Sequence, residues 1–84
     1  MTNKSDALEL FAKLPNITMF EDGDYVKVDK EKDEGYIPTL YYYGNEYVLD
    51  WVGEETNTIK SFNAKTPEEV IDKAYSWCIN EHLL

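Results

Sequence analysis

The sequence contains no arginine and no glutamine, a single cysteine and a single histidine. Each scarcity removes a class of function. Without arginine there is no planar guanidinium fork to grip a phosphate or carboxylate through two parallel hydrogen bonds. Eight lysines face seventeen acids, and the net charge of −9 opposes direct contact with nucleic acid or an anionic membrane surface. Cys78 has no second cysteine to bond with, so an internal disulfide is excluded and a reducing compartment suits the chain. The first twenty residues show no basic-then-apolar signal pattern. No apolar run approaches the roughly 20 residues of a membrane helix. The expectation is a soluble cytoplasmic protein. There is also no glycine-rich phosphate loop and no G-x-S-x-G motif. The carboxylate pairs Glu21/Asp22, Glu54/Glu55 and Glu68/Glu69 fall in predicted loops or at a helix start, where water rather than a pocket governs their charge. No catalytic residue, metal ligand or cofactor site is assigned, and the chain reads as a non-enzyme.

What is present is enough apolar surface to fold. Of the 84 residues, 43% are hydrophobic and 14% aromatic, which argues against disorder despite 30% charged content. The length predicts one small acidic domain spanning residues 1–84. The absence of arginine and glutamine beside abundant lysine, asparagine, isoleucine and tyrosine also fits an AT-rich genome, such as that of a low-GC bacterium or its phage.

Helical spacing of Ala7, Leu8, Leu10, Phe11 and Leu14 predicts a helix over residues 4–14, capped by Ser5 or Asn3 and stopped by Pro15. "NITMF" and "DYVKVD" are strand candidates around a turn-like "EDGD", although the sequence does not register the second against the rest. "KEKDEG" is a hydrophilic loop, and "TIKSF" a last short strand. "TPEEVIDKAYSWCINEHLL" is the clearest helix. Thr66 caps it, Pro67 suits its first turn, and Glu69 completes a capping box. Val70, Ile71, Ala74, Tyr75, Trp77 and Cys78 fill one apolar arc. The predicted fold is α+β: a two-layer arrangement with an antiparallel sheet of three to four strands and both terminal helices on one face.

The stretch "YIPTLYYYGNEYVLDW", residues 36–51, is the most distinctive. Gly44-Asn45 suits a two-residue hairpin turn. Pairing Tyr43 with Glu46 then places Tyr42 opposite Tyr47, Leu40 opposite Leu49 and Pro38 opposite Trp51. Because side chains alternate, Leu40, Tyr42, Tyr47, Leu49 and Trp51 share the face assigned to the core. Thr39, Tyr41, Tyr43, Glu46, Val48 and Asp50 share the other. A tyrosine-bearing open sheet face is either a partner site or plain strand propensity with wet hydroxyls. Tyr41, Tyr43, Val48, Glu46 and Asp50 are the candidate partner-binding residues, joined by Asp29, Glu31, Asp33 and Glu34 of the acidic loop.

Two metal-like spacings are present and set aside. Cys78 and His82 stand four apart on the last helix, but no further cysteine or histidine exists to complete a site. "DKEKDEG" places Asp29, Glu31 and Asp33 like the start of a calcium loop, yet its glycine comes one residue late and position twelve is Leu40 instead of glutamate.

The order helix, strands, helix resembles the double-stranded RNA-binding domain. That family's last helix starts basic, whereas this one starts "TPEEV", so the likeness implies the shape and not RNA binding. Residues 36–79, ending in "AKTPEEVIDKA", are similar to the core of HicB-type antitoxins, which implies an antitoxin role. This chain adds an N-terminal helix and a long acidic loop. Three functions follow. The first is a non-catalytic protein-binding module, of phage or mobile-element type, with a partner of basic character. The second is a nucleic-acid-mimicking inhibitor of a DNA- or RNA-binding protein, using acids in the segment 21–34, where seven acids face three lysines. The third is the HicB-like antitoxin. The tyrosine face could equally bury itself in a homodimer, which would also cover a free strand edge.

Overall fold

The computed structural model describes residues 4–84. Helix α1 (Lys4–Lys13) leads into β1 (Asn16–Met19) and β2 (Tyr25–Val28). A single 3-10 turn precedes β3 (Ile37–Tyr43) and β4 (Glu46–Val52), a second precedes β5 (Thr58–Ala64), and α2 (Pro67–Asn80) closes the order. This is an α+β fold with antiparallel sheets and helices at both ends. Ser5 lies inside α1 and so is not its cap, and Asn3 falls outside the described residues.

The strands form two sheets where one was expected, β1-β2 and β3-β4-β5. A lone antiparallel bridge between Ile17 and Tyr36 ties them together, each residue donating its N–H to the other's carbonyl, at 3.1 and 2.7 Å. Sequence could not register "DYVKV"; it pairs locally, Asn16 opposite Val28 through Met19 opposite Tyr25.

The central hairpin has the register its turn dictates: Tyr43 opposite Glu46, Tyr42 opposite Tyr47, Leu40 opposite Leu49 and Pro38 opposite Trp51. Gly44 supplies the positive φ (+68°) that the first central position of the tight turn demands. Leu49 and Trp51 are fully buried, and Leu40 and Tyr47 pack against the same core. Tyr42 departs from the expectation. It is 59% exposed, because α2 lies over β4 and β5 and not over β3, and it stacks edge-on against Tyr47 at 4.9 Å.

Helix α2 lies on β4 and β5, and α1 lies against α2. Val70, Ile71, Ala74 and Cys78 of α2 are buried, and Tyr75 and Trp77 are half-buried, as the predicted arc requires. Thr66 Oγ1 accepts the Glu69 N–H at 3.2 Å, satisfying one of the free donors at the helix start. At the other end His82 takes a left-handed φ of 57°. The Leu83 N–H reaches Cys78 O and the His82 N–H reaches Ile79 O, which tucks Leu83 into the core. Cys78 and His82 therefore serve the core and the helix end.

In α1, Ala7 and Leu14 are buried, whereas Leu8 is exposed. The helix is fastened at its end. The indole N–H of Trp51 donates to Pro15 O at 2.8 Å, and Lys30 Nζ donates to Ala12 O and Leu14 O at 3.0 and 3.1 Å. A cation on the last carbonyls also complements the helix dipole. Tyr25, Trp51, Phe62 and Trp77 form an aromatic cluster beneath α2, with the Lys60 ammonium 5.2 and 5.1 Å from the ring centres of Phe62 and Trp77. Among the described residues, no helix is long and apolar enough to cross a membrane.

Candidate functional site

Alternation along β3, β4 and β5 gives the three-stranded sheet an outer face opposite the helices. Its rows follow from register: Ile37 beside Val52, Thr39 beside Asp50 and Ser61, Tyr41 beside Val48 and Asn63, and Tyr43 beside Glu46. Tyr41 is 41% exposed, Tyr43 76% and Ile37 43%, while Val48 and Val52 are half-buried between them. This is a shallow apolar surface with phenol groups at its rim.

At its centre is a buried carboxylate. Asp50 is only 6% exposed although it lies on the outer face, because Tyr41 and Ser61 close over it. The Tyr41 hydroxyl donates to Oδ2 at 2.5 Å, and the Ser61 hydroxyl donates to Oδ1. Donation to the carboxylate, with burial and the nearby negative charge adding to it, holds the Tyr41 phenol above its ordinary pKa. Asp50 is thus not a free contact residue. It fixes the Tyr41 ring in place. Glu46 is likewise engaged, accepting from Asn63 Nδ2 at 3.1 Å.

The acidic candidates lie elsewhere. Asp29 caps the short turn Lys30–Lys32 by accepting the Glu31 N–H at 3.0 Å, and Asp33 ends that turn at φ 53°. Asp29, Glu31, Asp33 and Glu34 are all exposed. They sit at the base of β3, whereas Tyr43 sits at its tip. Seven residues at about 3.4 Å each separate Tyr36 from Tyr43 by roughly 24 Å. The loop is anchored by Asn16 Nδ2, which donates to Glu34 O at 3.1 Å. Next to it, Asp33, Glu34 and Tyr36 share a polar hollow with Gly53, Glu54 and Asn57. The nine candidate residues therefore form two groups, a tyrosine face and an acidic end.

Residues that sequence reasoning did not single out are Ile37, Val52, Ser61 and Asn63. Registering β5 against β4 would have found the last two, since Asp50 opposes Ser61 and Val48 opposes Asn63. Among the described residues, no three histidine, cysteine, aspartate or glutamate side chains gather as metal ligands. No family model, curated protein or solved structure matches the chain.

Proposed function

We propose that the protein is a non-catalytic cytoplasmic binding module that docks a protein partner on the outer face of its three-stranded sheet. The observation that carries this reading is the pair of exposed tyrosines on a face that none of the described helices covers, with Ile37, Val48 and Val52 beside them. Tyrosine offers a large contact area at a low cost in side-chain entropy, and the bond to Asp50 has already fixed one of the two rings. A net charge of −9 favours a partner of basic character.

The test is to co-purify the partner from the native host and measure its affinity with purified components. Tyr43 is mostly solvated, so Tyr43→Ala should leave the fold intact while weakening binding by at least about tenfold. Unchanged affinity would refute the reading. One observation favours a second reading, a nucleic-acid-mimicking inhibitor: Asp33, Glu34 and Glu54 converge on one hollow, where carboxylates could stand in for phosphates. Such binding would fall steeply between roughly 50 and 200 mM salt and ignore Tyr43→Ala.

A further inference from the structure

We propose that the open edge of β3 pairs with the same edge of a second copy of this chain, joining two three-stranded sheets into one six-stranded sheet.

The edge follows from the bridge at Tyr36. That residue exchanges both backbone hydrogen bonds with Ile17. Backbone groups point alternately to the two sides of a strand. Pro38, Leu40 and Tyr42 therefore point the same way as Tyr36, while Ile37, Thr39, Tyr41 and Tyr43 point toward β4. β1 ends at this point, because the chain preceding Asn16 turns back through Pro15 into α1. No other described strand pairs with β3 on that side. Leu40 and Tyr42 are left presenting N–H and C=O groups outward, and Pro38 has no N–H to leave unpaired.

The outer edges of β5 and β2 are blunted. On β5, Ile59 O accepts from the Tyr25 hydroxyl at 3.2 Å and Asn63 O from Lys73 Nζ at 3.0 Å. β2 carries Lys27 and lies between Asp24 and Asp29. These are the usual defences against edge pairing. β3 has none beyond the proline: residues 36–45 include no charged side chain in a chain whose charge is −9. A second copy meets no like charge on this strip.

The proline also selects a register. A two-fold antiparallel pairing must set outward-pointing residues opposite one another. Placing Leu40 opposite Tyr42 of the second copy uses the N–H and the C=O of both residues once in each copy, giving four hydrogen bonds with every group paired, about an axis through Tyr41. Pairing Leu40 with itself would set Tyr42 against Pro38: each Tyr42 N–H still reaches a Pro38 O, but each Tyr42 O is left without a donor because proline has no N–H. Pairing Tyr42 with itself would set Leu40 against the turn at Gly44. In the favoured register Tyr41 meets its own copy on the outer face. Tyr41, Tyr42 and Tyr43 are 41%, 59% and 76% exposed, so they leave roughly 350 Å² per copy available at about 200 Å² per ring. With Leu40, Ile37 and the backbone strip, the contact can total at most about 1,000 Å² over both copies, the floor for a specific interface. Association should be weak, on the order of 10–100 µM. This inference does not rest on the proposed partner, since the backbone edge of β3 makes the pairing, although the Tyr41, Tyr43 and Ile37 side chains along that edge also belong to the outer face.

Sedimentation equilibrium on the full chain from about 1 to 500 µM, with amide exchange at both extremes, tests it. The expected result is a monomer–dimer equilibrium in which the Leu40 and Tyr42 amides slow at least about tenfold at high concentration. Tyr42→Pro removes an N–H that the β4 ladder does not use, so a folded monomer with a dissociation constant raised at least about tenfold is expected. Tyr42→Lys keeps the N–H but adds a charge at the contact, should also weaken pairing, and carries the test if the proline variant misfolds. A monomer across the whole range, a dimer with unprotected Leu40 and Tyr42 amides, or a folded Tyr42→Pro that still dimerises would each overturn the proposal. So would protection of those amides only when a different protein is added.

Discussion

Replacing Trp51 tests whether one indole holds α1 onto the sheet. The side chain is fully buried on the inner face of the middle strand, 5.4 Å from the Trp77 ring centre, and its N–H donates to Pro15 O at 2.8 Å. Trp51→Phe removes about 40 Å³, which at roughly 24 cal/mol per Å³ of unfilled cavity costs about 1 kcal/mol. The lost transfer energy of the missing ring atoms adds about 1 kcal/mol. Pro15 O, now buried without a donor, adds about 1–2 kcal/mol. The expected loss is about 3–4 kcal/mol, a large share of the roughly 4–12 kcal/mol available to a domain of this size. Urea unfolding followed by far-UV circular dichroism measures it, because Trp77 would confuse a fluorescence readout. A benzothiophene analogue of tryptophan, equal in shape but without the N–H, isolates the hydrogen bond and should cost about 1–2 kcal/mol. Amide exchange should speed up in α1 before it does in β4. A loss below about 1 kcal/mol for Trp51→Phe, or an analogue as stable as the parent, would refute the claim that this contact secures the helix.

Gly35 and Gly44 both have positive φ, +76° and +68°, but a methyl group at Gly35 would strike the Val28 side chain and sit 2.7 Å from Ile17 O, whereas at Gly44 it would meet nothing. Gly44→Ala should cost about 1 kcal/mol and Gly35→Ala about 2–4 kcal/mol in urea unfolding, and equal losses would contradict the structure. Tyr41→Phe removes one donor from Asp50; because Tyr41 is partly solvated, water recovers much of the bond and the cost should be about 1 kcal/mol. The raised Tyr41 pKa means that its contribution is complete below the ordinary phenol range and is lost as pH rises through the folded value, so Tyr41→Phe should flatten the alkaline fall in stability. Burial pushes the Cys78 thiol up to about 11, so a disulfide reagent at about pH 8 should leave the native protein unmodified and react only as urea unfolds it; fast native labelling would show the thiol to be accessible.

What could be read in advance depended on how local the determining physics is. The β3–β4 register was legible because Gly44-Asn45 admits one tight turn, and the turn fixes every pair above it. The α2 cap and apolar arc were legible for the same reason, since Thr66, Pro67 and the 3.6-residue period act within a few residues. Tyr42 was misassigned because alternation gives the face of a side chain but not how far the covering helix extends. The sheet division was missed because it rests on Ile17 meeting Tyr36, a contact between distant segments with no composition signal. Asp50 was placed on the correct face, yet its burial depends on Ser61, one strand further away. The candidate site was half legible. Its tyrosines and acids were both named, but charge alone could not show that they stand toward opposite ends of β3.

That separation limits how the charge can act. At physiological ionic strength the field of an exposed carboxylate decays over about 8 Å, roughly a third of the distance from the acidic end to Tyr43. Asp33, Glu34 and Glu54 therefore cannot strengthen a contact made at the tip of the hairpin; they can only steer the approach of a basic partner or form a second contact of their own. Along the neutral strip from Tyr36 to Asn45, close approach is governed by shape and backbone hydrogen bonding rather than by charge. Face and edge of the same strand are built from different groups there, because odd-numbered side chains cover the one while even-numbered backbone groups line the other, but the side chains of the face also flank the edge. A second copy on the edge and a partner on the face therefore compete for Tyr41, Tyr43 and Ile37.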